Sequence, residues 1–474
     1  ATDYFELNPI SGGSTCWDNC STIVLNSFQI LKNIDNQAIV KQCSATNLPY
    51  ENNFFDAIFT DPPYYDNVPY SYISDFYYVW LKRNLYRYYP ELFSTPLTPK
   101  ADEVVAYEDN ENFNSGKERF DALITQSFNE MARVIKPDGI INIVYAHKSS
   151  DAWETIINAI LESGLYLTGS WPIHTEMKAR LRASESAALA SSIYMVCRKR
   201  STSETAFYNE IKPAIQQCIH QKLDQFWAEG ISGSDFFISA IGPAVEVFGK
   251  YSSVEKLSGE KVKVKELLEY VRQVVSEHAL NRILKNTQLS GIDNTTRFYL
   301  IWRFTYGNAK VLFDDASKLS RAIGFDIEAN WDSAGIVKKD KQFISIKSSV
   351  DRRNDETFQR RIAKHFPDIL QQTLLDDEII TTEAPSMIDV LQQCLIFWGR
   401  NDRLTIVKLL EGSGYRSNNH FWQVAQSISD VLPDGDKEKQ LLQGFLYGKE
   451  GYQSGQVPID DITDIQESLF GEEA

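Results

Sequence analysis

One short segment limits the fold of this chain of 474 residues more than any other. The apolar run Ala57-Ile58-Phe59 has the composition of a buried strand, and it stops at Asp61, where two prolines follow. Proline fixes its own φ, gives no N–H to a sheet and restricts the residue before it. We therefore predict a buried strand and then a stiff loop over residues 61–64. In open α/β sheets, ligands bind at the carboxyl ends of strands.

The groups in this loop suit an amine attached to a planar ring. Asp61 offers a carboxylate, Pro62 offers a carbonyl with no N–H of its own beside it, and Tyr64 offers an aromatic face. Together they can accept hydrogens from an exocyclic amine and stack on its ring. The alternative is a tight turn after a core strand, because Pro-Pro pairs often mark such turns.

Strands and helices alternate through the first 200 residues. We predict strands at 38–43, 140–146, 171–174 and 192–198 besides the motif strand, and helices at 70–88, 114–135 and 151–163. Lys136-Pro137-Asp138-Gly139 is predicted as a turn. Alternation at these lengths indicates βαβ units and a parallel sheet, and therefore an α/β fold.

From about residue 203 the alternation stops. Long amphipathic patterns cover 264–284, 295–323, 355–375, 387–397 and 420–431, with one short strand predicted at 343–347. We predict three parts: an α/β part over 1–202, a mostly α-helical recognition or docking region over 203–450, and an acidic flexible tail over 451–474.

Composition narrows the class of protein. No apolar run approaches the ~20 residues that a membrane span needs, and no signal segment is present. The six cysteines are scattered, and Cys16 and Cys20 lack a second pair or histidines at zinc spacing. We predict free thiols in a reducing cytoplasm and no metal site.

The net charge of −16 is unfavourable for a nucleic-acid ligand unless a local basic face exists, because phosphate contacts dominate affinity. Alternate spacing puts Lys178, Arg180 and Arg182 on one side of an extended segment, where they could follow a phosphate backbone. A denser cluster comprises Lys347, Arg352, Arg353, Arg360, Arg361 and Lys364. A solvated face is the alternative for both. Docking onto basic partner subunits is another reading of the acidic charge.

Aromatic residues crowd the segment after the motif. Tyr65 and Tyr70 are close enough to Pro63 to line a pocket, whereas helical spacing assigns Phe76, Trp80 and Leu81 to the core. The side chain of His147 follows the strand at 140–146. It is predicted to contact a base or a phosphate, with an ordinary satisfied polar residue as the alternative.

The resemblance to a known family rests on three segments. Residues 3–9 (DYFELNP), 61–83 (DPPYYDNVPYSYISDFYYVWLKR) and 188–198 (ALASSIYMVCR) resemble the large adenine-specific DNA methylases of bacteria and archaea, which are often encoded in anti-phage defence islands. They are Asp-Pro-Pro-Tyr amino-methyltransferases. The resemblance implies a Rossmann-like methyltransferase sheet, S-adenosylmethionine as cofactor, and transfer to adenine N6 of DNA in a phage-defence or restriction-modification type system.

The resemblance also assigns roles by position. The Asp61 carboxylate and the Pro62 carbonyl would accept hydrogens from the target amine, Pro63 completes the rigid motif, and Tyr64 would stack on the base. Tyr65, Tyr70, His147, Lys178, Arg180 and Arg182 complete the predicted substrate-binding set.

For the cofactor, the resemblance points to Asp61, close to the sulfonium, and to the loop after residue 43. In that loop Ser44 and Ala45 stand where such enzymes usually carry an Asp.

The glycine-rich cofactor turn of such enzymes is not evident. Gly12-Gly13 follows Asn8-Pro9 rather than an apolar strand, and Gly448–Gly455 follows no strand. Because the chain also starts at Ala rather than Met, we expect the sheet's first strands and this turn in an N-terminal part or a partner subunit. Other defence-system proteins are further possible partners.

Three alternatives to adenine methylation stay open. The first is a catalytically silent DNA-binding or scaffold subunit of a defence complex. The second is methylation of RNA or of a protein amide. Cytosine N4 methylation is the third, and it is disfavoured because those enzymes tend to carry Ser where Asp61 stands.

Overall fold

The computed structural model describes residues 16–32, 38–64, 69–101, 103–106, 115–147, 149–174, 191–285, 289–331, 335–367 and 384–456. Up to residue 200 its elements are α1 (Trp17–Leu31), β1 (Phe55–Thr60), α2 (Tyr70–Leu85), α3 (Gly116–Val134), β2 (Ile135–Tyr145), α4 (Ser150–Glu162), β3 (Leu165–His174) and β4 (Ser191–Lys199).

The later elements are β5 (Thr205–Phe207), α5 (Tyr208–Ala228), α6 (Gly233–Ser239), α7 (Ile241–Phe248), β6 (Ser253–Glu255), α8 (Val264–Ile283), α9 (Asn294–Tyr306), β7 (Val311–Leu312), α10 (Phe313–Ile323), β8 (Val337–Asp340), β9 (Phe343–Ile346), α11 (Ser349–Arg352), α12 (Glu356–His365), α13 (Met387–Gly399), α14 (Arg403–Gly412), α15 (Asn419–Val431), α16 (Lys437–Tyr447) and α17 (Lys449–Ser454).

A four-stranded sheet in the order β1-β2-β4-β3 organises the first part. β1 and β2 are parallel, and β4 runs antiparallel to both of its neighbours. The predicted α/β class is confirmed, although the sheet is mixed rather than wholly parallel. Because β1 and β2 are parallel, their carboxyl ends lie at the same edge of the sheet.

The predicted turn at Lys136–Gly139 is wrong, because these residues belong to β2. Phe55 pairs with Ile135, but Ala57 already pairs with Ile140, so β2 carries three extra residues at this point. A Cβ on Gly139 would lie 2.9 Å from the Asp56 carbonyl oxygen, which explains why glycine occupies the irregularity.

Two amphipathic helices cover the sheet. Phe120 and Phe128 of α3 and Trp153 and Ile156 of α4 are fully buried in a core that includes Ile143 of β2. The Ser115 side chain caps α3 by accepting the Glu118 N–H, and Ser149 caps α4 by accepting the Asp151 N–H. Gly164, with φ of 76°, reverses the chain after α4, where the sequence predicted the helix to end.

The second part is mostly helical, as predicted, and its core is continuous with that of the sheet. The predicted patterns at 264–284, 387–397 and 420–431 correspond to α8, α13 and α15. The single pattern predicted at 295–323 is wrong, because Gly307 (φ 56°) and β7 divide it into α9 and α10. Among the residues described, no helix combines the length and apolarity that crossing a membrane would need.

Large apolar side chains are exposed on α1, β1 and α2 and in the segment before β1, and we call these residues together the amino-terminal apolar surface. Its exposed members are Trp17, Ile23, Val24, Leu25, Phe28, Ile30, Leu31, Ile39, Val40, Phe59, Tyr70, Tyr72, Ile73, Phe76, Tyr77, Trp80 and Leu81. α1 buries no residue. Residues 38–43 form no strand, so that prediction is wrong.

Three residues assigned to the core from helical spacing are not buried. Phe76, Trp80 and Leu81 are 68%, 54% and 48% exposed. Their spacing does put them on one face of α2, but no described element covers that face. The prediction of an apolar helix face is therefore right, and the prediction that this chain buries it is wrong.

Candidate functional site

The motif loop begins where β1 ends. Thr60 is the last residue of the strand, Asp61 is exposed, Pro62 is buried, and Pro63 and Tyr64 are half-buried. The strand and the loop are confirmed, but the strand is not buried, since Ala57 and Phe59 are exposed. The Asp61 side chain thus lies at the surface, at the carboxyl edge of the sheet.

An aromatic cluster joins the motif to the neighbouring strand. The Tyr64 ring meets the Tyr145 ring edge-on, with 5.3 Å between centroids, and Tyr145 is the last residue of β2. Trp153 of α4 meets the other side of Tyr145 edge-on at 5.0 Å. Because Tyr145 is fully buried, this cluster holds the position of the Tyr64 ring.

His147 lies two residues beyond β2 and is also held in place. Its ring is nearly parallel to that of Tyr145, with centroids 6.3 Å apart. Its Nδ1 accepts the Ser149 N–H at 3.0 Å, and its carbonyl oxygen accepts the Trp153 Nε1–H at 2.8 Å. Because Nδ1 accepts a hydrogen bond, the proton of the neutral ring lies on Nε2. The structure therefore brings His147 to the same sheet edge as Asp61.

A polar clamp fixes the start of α2, where Tyr70 is exposed. The Ser71 N–H and hydroxyl donate to the Glu103 carboxylate at 3.0 and 2.5 Å. The Thr98 hydroxyl donates to the Ser71 carbonyl and to Asp75. Hydrogen bonds from Lys100 and Thr98 lower the pKa of Asp75, which keeps this carboxylate ionised as their acceptor.

Arg119 connects this clamp to the core, and the sequence analysis missed it. Its side chain is buried on α3 and donates to the carbonyl oxygens of Val105 at 2.7 Å and Ala101 at 2.6 Å. The sequence did contain a signal for this buried arginine, because Arg119 directly precedes Phe120 near the apolar face of a helix. A guanidinium in that position requires acceptors, and a neighbouring loop is their usual source.

Ser44 and Ala45 are not brought to Asp61 by any contact among the described residues. The Ser44 hydroxyl lies 2.8 Å from that of Thr46, within its own turn. That loop continues to Leu48, whose N–H and carbonyl bind Glu130 and Arg133 of α3.

These contacts hold the loop near the amino end of β1. The Phe54 N–H, directly before β1, donates to the carbonyl of Val134, which directly follows Arg133. Asp61 lies at the other end of the strand. Ala45 has no polar side chain, and the Ser44 hydroxyl is engaged locally. Among the described residues, Ser44 and Ala45 therefore do not share a site with Asp61.

Four predicted substrate-binding residues, Tyr65, Lys178, Arg180 and Arg182, lie outside the described residues. The second basic cluster is described, and the nucleic-acid interpretation is wrong for half of it. Arg352 and Arg361 are buried against Asp389, and Lys347 binds Asp355 at 3.0 Å. Only Arg353, Arg360 and Lys364 of that cluster are exposed.

The six cysteines are free thiols, and in the described part of the chain no three His, Cys, Asp or Glu side chains are grouped to hold a metal ion. No family model, no curated protein and no solved structure matches this chain. The assignment of function therefore depends on the motif and on the geometry around it.

Proposed function

We propose that this chain is the catalytic half of a cytoplasmic DNA amino-methyltransferase that transfers a methyl group from S-adenosylmethionine to adenine N6. The proposal includes a role in a phage-defence or restriction-modification type system, on the resemblance of residues 3–9, 61–83 and 188–198 alone. One observation carries the enzymatic part. The Asp61-Pro62-Pro63-Tyr64 motif lies at the carboxyl end of a strand, with an exposed carboxylate and an aromatic ring held by the next strand.

The chemistry of this loop is positioning and electrostatic stabilisation. The Asp61 carboxylate and the Pro62 carbonyl accept the two amine hydrogens, which directs the nitrogen lone pair outward and stabilises the charge that develops on nitrogen. An adenine amine is conjugated and weakly basic, so alignment contributes more than a strong base. Tyr64 stacks on the ring, and the chain itself forms no covalent intermediate.

An adenine within a duplex must leave the stack before its amine can enter this loop. His147 lies at the same edge of the sheet as Asp61, and in this proposal Tyr70 and His147 line the approach to the loop. The remaining contacts to the flipped base and to the phosphates are proposed to come from Tyr65, Lys178, Arg180 and Arg182.

The sheet is compatible with the closing half of a Rossmann-like methyltransferase fold. Its first two strands are parallel, and its last strand enters antiparallel between β2 and β3. In this proposal further parallel strands continue the sheet beyond β1, and the glycine-rich cofactor turn belongs to them.

The amino-terminal apolar surface supports a partner at that edge. Parallel sheets are normally covered on both faces, and an exposed strand edge presents unpaired N–H and C=O groups. β1 is an edge strand with Phe59 67% exposed, and α2 beside the motif leaves its apolar face uncovered. We propose that the cofactor-binding half pairs a parallel strand with β1 and buries this surface. That half also supplies the contacts to S-adenosylmethionine that Ser44 and Ala45 lack.

The test of catalysis is substitution of Asp61. The Asp61→Ala variant is assayed together with the half that carries the glycine-rich turn. We expect methyl transfer from radiolabelled cofactor to DNA to fall by at least about 100-fold, as it does when one preorganised polar contact is removed. The circular dichroism of the variant should match the parent, because the side chain is exposed. Asp138→Ala is the matched control, since Asp138 is also an exposed carboxylate and lies on β2, outside the motif. An Asp61→Ala protein as active as the parent would refute the assigned role.

A catalytically silent DNA-binding subunit is the second candidate, favoured by the separation of Ser44 and Ala45 from Asp61. Titration calorimetry with S-adenosylmethionine, on this chain alone and with its partner half, separates the two. Binding by the pair supports the enzyme, and the absence of binding in both supports the silent subunit. Offering DNA, RNA and protein pools together identifies the acceptor.

A further inference from the structure

A small basic hairpin lies in the mostly helical part of the chain. β8 and β9 form an antiparallel hairpin in the sheet order β7-β9-β8, so β8 is an edge strand. Its exposed lysines are Lys338, Lys339 and Lys341, and exposed Lys310 lies beside it, directly before β7. Asp340 is the one acidic residue of the hairpin, so the hairpin carries a net charge of +2, or +3 with Lys310, within a chain of −16. We call residues 337–346 with Lys310 the basic hairpin.

Buried residues and two side-chain contacts hold the basic hairpin in place. Val337, Ile344 and Ile346 are buried beneath it. Lys339 Nζ lies 3.6 Å from the centre of the Trp331 ring, and Lys310 Nζ lies 2.7 Å from the Asp340 carboxylate. The cation–π contact fixes β8, and the ion pair neutralises the one acidic residue.

Two lysines extend from this base into solvent. Lys338 is exposed on β8, and Lys341 is exposed at the tip of the hairpin. Lys341 adopts a φ of 56°, a conformation that glycine and asparagine occupy most readily. Lys341 therefore occupies a turn position where glycine or asparagine would be less strained, and its side chain is exposed there.

The element beside the hairpin connects it to the candidate site. Lys318 of α10 binds Asp151 at 2.7 Å and also pairs with Asp314. Asp151 lies in the first turn of α4, four residues after His147, at the edge of the sheet that carries Asp61. The module that bears the hairpin is thus packed against the start of α4, close to the proposed point of methyl transfer.

We propose that the basic hairpin binds the phosphate backbone of duplex DNA beside the target base. The B-DNA major groove is ~12 Å wide and admits a two-stranded ribbon, and four residues of strand extend ~13 Å. An acidic chain needs concentrated positive charge to approach phosphate, and the hairpin provides it on a rigid support. The inference rests on the proposed function only for the choice of DNA as ligand.

The test is a binding measurement without cofactor. The full chain with Lys338→Gln and Lys341→Gln is titrated into a labelled 25-base-pair duplex, and anisotropy is followed between about 50 and 200 mM salt. We expect binding at least about 10-fold weaker near 100 mM salt, and a salt slope smaller by about 1 to 2. Lys408→Gln with Lys437→Gln is the control, because it removes the same charge from exposed sites on α14 and α16 and should leave binding unchanged.

Two results would overturn the proposal. Lysines on an edge strand also discourage edge-to-edge pairing between molecules. If that were their only role, the hairpin variant would bind DNA as tightly as the parent protein, and this is the first such result. The second is a loss of binding that appears only with RNA or with single-stranded DNA, which would assign the hairpin to another nucleic acid. The outcome is separable from the catalytic proposal, because an Asp61→Ala protein should still bind DNA through an intact hairpin.

Discussion

Two arginines on α3 bind the backbone of two separate loops. Arg119 binds the Ala101 and Val105 carbonyls near the start of α2, and Arg133 binds the Leu48 and Tyr50 carbonyls near the start of β1. Guanidinium groups suit this task because their five N–H donors can reach several carbonyl oxygens at once. The segments around the motif are therefore positioned by a helix that itself belongs to the core.

The partner of Arg133 allows a test of this anchorage by pH. Hydrogen bonds from Arg133 and from the Leu48 N–H lower the pKa of Glu130 from its usual 4.5 to about 2. A lowered pKa means that the stabilisation is complete above pH 4.5 and is lost as the pH falls towards 2. Urea unfolding should show the parent more stable than Glu130→Gln by about 1 kcal/mol near pH 6, since the pair is close to the surface. The difference should shrink as the pH falls from 4.5 to 2 and vanish only below pH 2, and a difference independent of pH would contradict the assignment.

At the scale of elements, a buried polar network joins α9, α11, α13 and α16. Arg352 of α11 binds Asp389 of α13 at 2.6 Å and Gln392 at 2.9 Å. Gln392 also donates to Glu438 of α16, which accepts the Tyr299 hydroxyl of α9. Such networks specify how helices pack, because each buried group must find its partner.

Asp389 is the residue of this network whose substitution we expect to cost the most stability. Burial raises its pKa, but Arg352 and Arg361 outweigh that effect and hold the pKa below its usual value. Asp389→Asn would leave two guanidinium groups without their counter-charge, so we expect a loss of about 3–5 kcal/mol in the free energy of unfolding. In urea unfolding, the double variant with Arg352→Met should lose less than the sum of its single variants.

The control for this measurement is Glu356→Gln, which removes an exposed carboxylate from α12 and should cost under about 0.5 kcal/mol. A loss below about 1 kcal/mol in Asp389→Asn would mean that the charges are hydrated in solution rather than buried.

The elements that sequence patterns predicted well are those whose signals are local. α8, α13, α15 and β9 follow their apolar periodicity closely, and the motif strand ends where the prolines require. Predictions failed where neighbours decide the outcome. The Lys136–Gly139 segment became part of β2 because β1 pairs on either side of it, and residues 38–43 pair with no strand among the residues that the structure describes.

The same limit applied to the candidate site. The motif alone located Asp61 and Tyr64, but the support of Tyr64 by Tyr145 and Trp153 depends on packing between distant residues. Charge runs were misleading for the same reason. Arg352 and Arg361 resemble a basic face in sequence, yet they point at a single buried carboxylate, which only the arrangement of α11, α12 and α13 reveals.

At the scale of the whole molecule, burial is unequal. The helical part and β2, β3 and β4 share one continuous core, whereas α1, β1 and α2 expose most of their apolar side chains. Monomers rarely expose apolar patches larger than a few hundred Å². In the function proposed above, the cofactor-binding half covers these exposed side chains.

The amino-terminal apolar surface should therefore be detectable in the isolated chain. We expect it to bind the dye ANS, and Phe76→Ser with Trp80→Ser should lower that fluorescence without changing circular dichroism, because both side chains are more than half exposed and contribute little to the core. Leu404→Ser with Tyr447→Ser removes two exposed apolar side chains elsewhere and should leave the fluorescence unchanged. When the partner half is added, hydrogen exchange at the amides of Phe55–Thr60 should slow, because a strand paired with β1 would bind its open edge. Unaltered dye binding in the α2 variant, together with unaltered exchange along β1, would rule out this face as the docking surface.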